Sequence, residues 1–282
     1  MRPRFAVHFV RRHARFCTRG HTLLELLIAL ALGLVVTAGA VSLYQSQRNA
    51  FQRAGDALQM NEAGRAALTL IGQQIQMAGF TFADLPRDQR PAQPLPAVFG
   101  CSGARPAGSG AGGKFTCSPL ASQSDGILIR YFDDGLATWR SAAGLATDCL
   151  GQGVNSVSPM GAAITNLYYA RMSGSTGQPE LYCEGSGKPG SAQPVVEGVE
   201  RLLVRYWSEG AVQALAAHML TPEQWRHVVA VDVCVLVRGG VQPQAAPYVD
   251  CEGVTGVSSD SRMRRAFWRH VALRNVQGGA LR

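Results

Sequence analysis

One acidic residue, Glu25, lies immediately before an apolar segment, Leu26–Leu43, that contains no charged side chain. A carboxylate beside hydrocarbon is costly, and such groups usually have an oppositely charged partner and a function. Gly20, shortly upstream, has no side chain and can adopt backbone conformations that other residues avoid. The first chemistry that the sequence indicates is therefore charge pairing by Glu25 at the border of an apolar segment. The peptide bond that follows the nearby Gly20 has no side chain of that residue beside it.

The apolar segment is long enough to cross a membrane. As an α-helix it would span about 27 Å, which matches the core of a bilayer. Residues 1–20 contain six arginines and no acidic residue, so the positive-inside rule leaves the N-terminus cytoplasmic. The segment is longer than a secretory h-region, and no A-x-A site follows it. These features argue against a signal peptide, whereas a simple membrane anchor stays open as an alternative.

The residues around Gly20 resemble a known processing signature. The segment RGHTLLELLIAL, residues 19–30, is similar to the prepilin signature of type IV pilins and type II secretion pseudopilins. The resemblance implies that a membrane-embedded aspartyl peptidase cuts after Gly20 and methylates the new N-terminus at His21. It also implies that Glu25, the fifth mature residue, pairs with the N-terminus of a neighbouring subunit and sets the axial register. The family usually has Phe at the first mature position, where this chain has His21.

The net charge of +8 belongs mainly to the leader. Beyond residue 20, 21 basic side chains face 19 acidic ones, so the mature chain has little electrostatic reason to bind a polyanion. Residues 262–269 contain arginines and aromatics, but in an alternating strand Arg265, Phe267 and Arg269 share one face and mix charge with apolar surface. We expect an exposed strand there, and nucleic acid is not an expected partner.

Six of the seven cysteines lie beyond the apolar segment, and Cys17 lies in the leader. An even number on the exported side predicts up to three disulfides in an oxidising compartment such as the periplasm. A metal site is the rival interpretation, but no C-x-x-C pair or nearby His spacing supports it. Many pairings are open; we predict bonds between sequence neighbours because each would close a short segment with turn-forming residues. The candidates are Cys101 with Cys117, Cys149 with Cys183, and Cys234 with Cys251.

The helical pattern continues beyond the membrane segment. No proline occurs between Tyr44 and Pro86, and apolar residues recur near a 3.6-residue period, so we predict one helix from about residue 22 to 78. Its first half would lie in a membrane or filament core, and its second half would lie on a globular domain. The predicted apolar stripe of the second half consists of Phe51, Ala54, Leu58, Leu68, Ile71, Ile75 and Ala78.

The rest of the chain predicts a loop followed by a β-rich domain. Residues 81–124 are rich in Pro, Gly and Ser, short apolar or alternating runs follow, and Thr221-Pro222 has the form of a helix start. We predict an α+β fold in which a long N-terminal helix, membrane-spanning in its first half, packs on an antiparallel β-sheet ectodomain. The predicted parts are a leader (1–20), a transmembrane and assembly helix (21–80), a loop (81–124) and a periplasmic β-rich ectodomain (125–282). The predicted strands are Gly126–Phe132, Ile164–Arg171, Glu180–Glu184, Val195–Trp207, Val228–Arg238 and Arg265–Asn275.

No motif in the sequence indicates catalysis or a cofactor. Gly108–Lys114 has the spacing of a phosphate loop, but Phe115 stands where a Mg²⁺-binding hydroxyl is required. Neither a G-x-S-x-G elbow nor an H-E-x-x-H motif occurs, and Asp133–Gly135 is expected to form a turn rather than a calcium loop. We predict a protein that is not an enzyme and that needs no cofactor or metal. The histidines expected to be structural or on the surface are His218, His227 and His270.

Several later segments resemble the PilW group of minor pilins. Residues 60–80 are similar to a segment that follows the anchor in that group, with Gln74 where an acidic residue is common. The pieces TDCLG, LYC, VEGVERL and VCVLVR, together with the ending of the chain from residue 264 to 275, follow in the same order as in that group. The resemblance spans Gly20 to Asn275 and implies a minor pilin that helps to prime the assembly of a type IV pilus.

The resemblance also implies partners and a location. The partners would be other minor and major pilins, the prepilin peptidase, the inner-membrane assembly platform and a PilY-type tip adhesin. The chain would enter the bacterial inner membrane with its ectodomain in the periplasm and then pass into the pilus. Two alternatives stay open: a J-type minor pseudopilin of type II secretion, and a simply anchored periplasmic adhesin or binding protein.

Overall fold

The computed structural model describes residues 20, 22–81, 95–108, 115–133, 135, 138–155, 162–242 and 245–275. The chain divides into two units, residues 1–52 and 53–282, which are described separately. The helix α1 spans Leu23–Met77, and short 3-10 helices span Ala217–Met219 and Gln224–His227. The strands are β1 Val98–Cys101, β2 Ala104–Ala107, β3 Thr116–Pro119, β4 Gly126–Phe132, β5 Ala146–Thr147, β6 Gly153–Val154, β7 Ala163–Met172, β8 Pro179–Gly185, β9 Gln193–Glu197, β10 Val199–Ser208, β11 Leu215–Ala216, β12 Val228–Val241, β13 Pro247–Val249, β14 Thr255–Val257 and β15 Arg262–Ala272.

The first unit contains the apolar part of α1. A window of this helix has a mean hydropathy of 2.5, and none of its residues is buried. An isolated helix of this composition would expose its apolar side chains to water, which is unfavourable. The helix is long and apolar enough to cross a membrane, as the sequence predicts.

The second unit is built on two antiparallel sheets. The first sheet has the order β1-β4-β7-β8-β9, and the second has the order β11-β10-β12-β15. Two-stranded ribbons, β2-β3, β5-β6 and β13-β14, accompany them. A shared apolar core includes side chains of both sheets and of the second part of α1, among them Ile71, Ile127 and Val233. The predicted α+β class, with a long helix on antiparallel sheets, is confirmed.

The predicted stripe of α1 is only half right. Leu68, Ile71 and Ile75 are buried, but Phe51 and Leu58 are 80% and 63% exposed. The buried side of the helix instead continues toward the N-terminus through small or flexible residues. The reason is that the side chains of the ectodomain that pack on α1 determine which face of the helix is buried. A pattern of large apolar residues in the helix itself does not identify that face. The buried residues of α1 are Met60, Gly64, Ala67, Leu68, Ile71, Gly72 and Ile75.

Two strand predictions need correction. The segment 81–124, predicted as a loop, contains β1, β2 and β3, although 82–94 and 109–114 lie outside the described residues. These strands have four residues each and form through pairing with β4 or with each other, so no local pattern predicts them. The predicted strand Val195–Trp207 is two strands in different sheets, because Gly198 has a positive φ of 82° and breaks the run.

The predicted short helix after Thr221 begins later than expected. The 3-10 helix starts at Gln224, three residues beyond the proposed cap. The capping hydrogen bonds are nevertheless present, since the Thr221 backbone N–H donates to Gln224 Oε1 at 2.9 Å and the Gln224 N–H donates to Thr221 Oγ1 at 3.4 Å. Thr221 therefore shapes the turn that precedes the helix.

Candidate assembly site

The first turn of α1 is closed by a reciprocal pair of hydrogen bonds. The Glu25 backbone N–H donates to Thr22 Oγ1, and the Thr22 backbone N–H donates to Glu25 Oε2, both at 3.3 Å. This is the capping box, in which Ser or Thr at the cap and Glu or Gln three residues later satisfy two donors at a helix start. Glu25 therefore has a local role in α1 besides the intersubunit role predicted from the sequence. Gly20 is exposed, and His21 lies outside the described residues.

The apolar part of α1 presents large side chains on all sides. Its polar groups are satisfied within the helix, since the Thr37 hydroxyl donates to the carbonyl oxygens of Gly33 and Leu34 at 2.9 and 3.0 Å. A helix with apolar residues all round belongs in a membrane or in a protein core. The exposed residues include Leu23, Leu24, Leu26, Leu27, Ile28, Leu30, Leu32, Leu34, Val35, Val36, Val41 and Leu43.

The second part of α1 is fastened to β15 at two glycines. A Cβ atom at Gly64 would lie 2.6 and 2.7 Å from Cγ and Cε2 of Phe267, so only glycine lets the ring approach the helix backbone. A Cβ atom at Gly72 would lie 2.9 Å from the guanidinium of Arg269. That guanidinium donates to the carbonyl oxygen of Leu68 at 3.1 Å. The face of β15 that was expected to be exposed therefore covers the helix, with mixed charge and apolar surface as predicted.

The C-terminal end of α1 is capped by a residue from the end of the ectodomain. Asn275 Nδ2 lies 3.2 and 3.3 Å from the carbonyl oxygens of Gln76 and Met77, which belong to the last turn and lack later helical partners. Gly79 follows with a φ of 75°, the conformation that commonly ends a helix. The sequence did not predict this cap, because Asn275 lies far from α1 along the chain.

A buried polar network connects α1 to the first sheet. Gln74 Oε1 accepts hydrogen bonds from Tyr131 Oη at 2.9 Å and from Asn166 Nδ2 at 2.7 Å. Asn166 Oδ1 accepts from the backbone N–H of Cys149 at 3.0 Å. Burial raises the pKa of Tyr131 to about 12, so its hydroxyl stays protonated and donates. Gln74 acts as an acceptor in both hydrogen bonds, so a carboxylate oxygen at this position could accept them as well.

The disulfides have the predicted sequential pairing. Cys101 is bonded to Cys117, Cys149 to Cys183, and Cys234 to Cys251. The first closes the ribbon β2-β3 against β1, the second ties the turn before β6 to β8, and the third ties the turn between β13 and β14 to β12. Each bond reduces the conformational freedom of the unfolded chain. They strengthen a domain with many connecting loops.

The described histidines and Asp133 have separate structural partners. His218 Nδ1 is 3.0 Å from Ser102 Oγ, and His270 Nδ1 is 2.6 Å from Asp232 Oδ1. His227 lies 3.8 Å from Glu209. The Asp133 carboxylate contacts the Arg140 guanidinium at 2.9 Å and accepts from the Gly135 N–H, as in a turn. Within the described residues no group of three His, Cys, Asp or Glu side chains could hold a metal ion.

Comparisons with known proteins identify two segments. A family described as Type IV Pilus-assembly protein W matches residues 167–275. The Prokaryotic N-terminal methylation motif matches residues 15–41, which include Gly20, His21 and Glu25. No curated protein matches the chain. Among solved structures, a type IV-like pilin from Thermus thermophilus aligns with a TM-score of 0.40 and 18% identity, covering 77% of this chain and 96% of that chain.

Proposed function

Since the chain is a type IV pilus minor pilin of the PilW type, we propose that it is made as a precursor, cleaved after Gly20 and incorporated into the pilus through α1. The observation that carries the proposal is the methylation motif, residues 15–41, which extends into an apolar part of α1 that has no buried residue. Such a helix requires an apolar environment outside its own chain. A membrane supplies it before assembly, and the helices of neighbouring subunits supply it afterwards.

Glu25 is the residue that we assign to subunit pairing. Cleavage after Gly20 would expose an ammonium at His21, and the carboxylate of Glu25 would neutralise the ammonium of a neighbouring subunit. Each charge alone is costly beside hydrocarbon, whereas the pair is tolerable. The pairing would therefore favour one axial register between subunits.

The proposed setting follows from the order of the segments. The arginine-rich leader would stay in the cytoplasm, α1 would span the inner membrane, and the disulfide-bonded ectodomain would lie in the periplasm. The partners would be other minor and major pilins, the prepilin peptidase, the assembly platform and a PilY-type adhesin at the tip. The family is structural and non-catalytic, and we propose that this chain likewise performs no catalysis.

The mature N-terminus tests the cleavage. Protein sheared from cells should begin at His21 when its N-terminus is sequenced, and a bulky residue in place of Gly20 should accumulate the precursor. Gly55→Ala is the control, because a Cβ atom there meets nothing within 4 Å and the residue lies beyond the methylation motif, residues 15–41. Exported protein that keeps residues 1–20 would overturn the proposal.

The capping box allows charge pairing to be tested separately from helix stability. Glu25→Gln removes the charge but keeps a side chain that closes a capping box. We expect this variant to be cleaved normally and to be depleted from sheared filaments. Glu62→Gln, at an exposed position of the same helix, should be incorporated like the unmodified chain. Normal incorporation of Glu25→Gln would exclude the pairing role, even if cleavage after Gly20 is correct.

A further inference from the structure

The strand β15 is an edge of the second sheet. It pairs with β12 on one side, and in the part of the chain that the structure describes no strand pairs with its other side. It spans Arg262–Ala272 and contains no proline or glycine. A long edge strand of this kind presents unpaired backbone groups that can bind another extended chain.

The register identifies which backbone groups of β15 point outward. The Leu273 N–H donates to the Val229 carbonyl oxygen at 2.9 Å, and Ala272 is paired with Ala230. Leu273 and Val229 are therefore a hydrogen-bonded pair, and such pairs alternate along an antiparallel ladder. It follows that odd-numbered residues of β15 bond to β12. The residues whose N–H and C=O groups point to the free edge are Arg264, Ala266, Trp268, His270 and Ala272.

A groove of about 560 Å³ opens beside this edge. Arg264, Ala266 and Trp268 line it from β15, and residues 249–253 line it from the ribbon β13-β14. Trp268 and Val249 are each 52% exposed, so the groove offers apolar surface that no described residue covers. The Cys234–Cys251 bond and the stacking of the Arg264 guanidinium 5.5 Å from the Tyr248 ring hold the ribbon in place.

Positive charge lies on the side of the free edge that carries Arg265 and Arg269. The strand has the sequence RMRRAFWRHVA, with four arginines and no acidic residue. Arg264 is neutralised by Glu200 and Asp260 at 2.6 and 2.7 Å. The other three donate to neutral oxygens within the described chain, and this leaves their charge uncompensated. They are Arg262 on the Gly239 carbonyl, Arg265 on Asn61 Oδ1 and Arg269 on the Leu68 carbonyl.

The carboxylates that line the groove are already engaged. Glu252 contacts the Arg201 guanidinium at 2.6 Å. Asp250 Oδ1 accepts from the backbone N–H groups of Glu252 and Val254 at 2.9 and 2.8 Å. The charge of Glu252 is therefore balanced by Arg201, whereas Asp250 keeps its charge and lies in the groove, beside Ala266 and Trp268.

We propose that the free edge of β15 and the adjoining groove bind an extended acidic segment of a partner protein, which adds to the second sheet as a further strand. Its backbone would bond to the outward groups of the even-numbered residues. Its side chains would alternate between the groove beside Trp268 and the side that carries Arg265 and Arg269. A second copy of β15 is a poor occupant because arginines would face arginines. The inference rests on the ectodomain alone and goes beyond the proposed assembly role.

Synthetic peptides test the site on the full chain in detergent micelles. The probe is a labelled ten-residue peptide of alternating Glu and Val, and the control peptide alternates Lys and Val. We expect the acidic peptide to bind at least about tenfold more tightly than the basic one, with affinity falling as salt is added. Equal binding of the two peptides, or no binding of the acidic one, would overturn the proposal and leave the arginines as protection of the edge.

Two substitutions locate the peptide. Ala266→Pro removes an outward N–H and should weaken binding about tenfold, whereas Ala266→Ser keeps that group and should bind normally. Arg265→Glu does not alter the backbone donors, so it tests the charge even if the proline variant does not fold. It should weaken the acidic peptide and strengthen the basic one, while Lys188→Glu, the same change on an exposed turn, should do neither.

Hydrogen exchange of single amides gives an independent readout. The amides of Ala266, Trp268 and His270 should exchange fast in the free chain and slowly with the acidic peptide, whereas those of Phe267 and Arg269 should be slow in both. Protection of the even-numbered amides without peptide would show that the edge is already covered. Equally tight binding of a peptide with the sequence of residues 262–272 would assign the edge to self-association instead. Either result would refute the acidic-partner proposal.

Discussion

Replacing Gly64 by Ala tests how α1 is fastened to the ectodomain. In an exposed helix interior this change stabilises a protein by about 1 kcal/mol, because Gly has the greater conformational freedom when unfolded. At Gly64 the added Cβ atom would lie 2.6 and 2.7 Å from ring carbons of Phe267, far inside van der Waals contact. Overpacking of this kind costs about 1–3 kcal/mol. The net expectation is a loss of up to about 2 kcal/mol of unfolding free energy.

Gly55→Ala is the matched control on the same helix. A Cβ atom at Gly55 meets nothing within 4 Å, so this variant should gain about 1 kcal/mol. The two variants should therefore differ by about 1–3 kcal/mol although the chemical change is the same. Urea unfolding of the full chain in detergent, with disulfides oxidised and tryptophan fluorescence as the signal, measures the difference.

A double-mutant cycle identifies the cause of the loss. Phe267→Leu replaces the flat ring by a shape that can move away from the helix, so Gly64→Ala should cost less in that background. We expect a coupling energy of about 0.5–3 kcal/mol between the two positions. If Gly64→Ala stabilises the chain as much as Gly55→Ala does, or if the cycle shows no coupling, the close approach of Phe267 to α1 does not hold in solution.

Three further predictions concern the ectodomain. Replacing both Cys149 and Cys183 by Ser should cost about 2–5 kcal/mol in urea unfolding, whereas Cys17→Ser in the leader should cost nothing; equal stability of the two variants would contradict this. Gln74→Glu should keep the acceptor for Tyr131 and Asn166 and stay close to the unmodified chain. Gln74→Leu should lose about 1–3 kcal/mol because buried donors are left unpaired, and the idea fails if both variants unfold together. Hydrogen bonds from Arg264 lower the pKa of Asp260 in the folded chain, so its stabilisation exists above the unfolded pKa of about 3.9 and is lost as the pH falls below it. The stability difference between Asp260→Asn and the unmodified chain should therefore shrink in acid, and a difference that is constant with pH would refute the ion pair's contribution.

The extent of α1 could be predicted because its signals are local. An uncharged segment of bilayer length, a 3.6-residue apolar period and the absence of proline each act on neighbouring residues. The predicted helix, about 22 to 78, agrees with the observed Leu23–Met77. The strand Gly126–Phe132 was also predicted with its observed bounds, since buried apolar runs bounded by turn residues have few alternatives.

The proposed roles of the processing and pairing residues rest on the sequence and not on the structure. The roles of Gly20 and His21 in cleavage and of Glu25 in pairing are implied by the resemblance to prepilins, and they stay predictions. The structure adds that Glu25 closes the first turn of its own helix. The Thr22–Glu25 spacing by itself indicates this contact, whereas the intersubunit role is implied by the resemblance to prepilins.

The sequence by itself determined where the helix lies and which segment needs an apolar environment, and it favoured bonds between cysteines that are neighbours along the chain. Only the tertiary structure decided which face of α1 packs on the ectodomain, why Gly64 and Gly72 are required there, and that Asn275 caps the helix from about 200 residues away. It also decided that Gly198 divides one apolar run between two sheets. The physical reason is that helix propensity, capping and bilayer length act over a few neighbouring residues. The choice of a packing face instead depends on side chains that meet only after the sheets have formed.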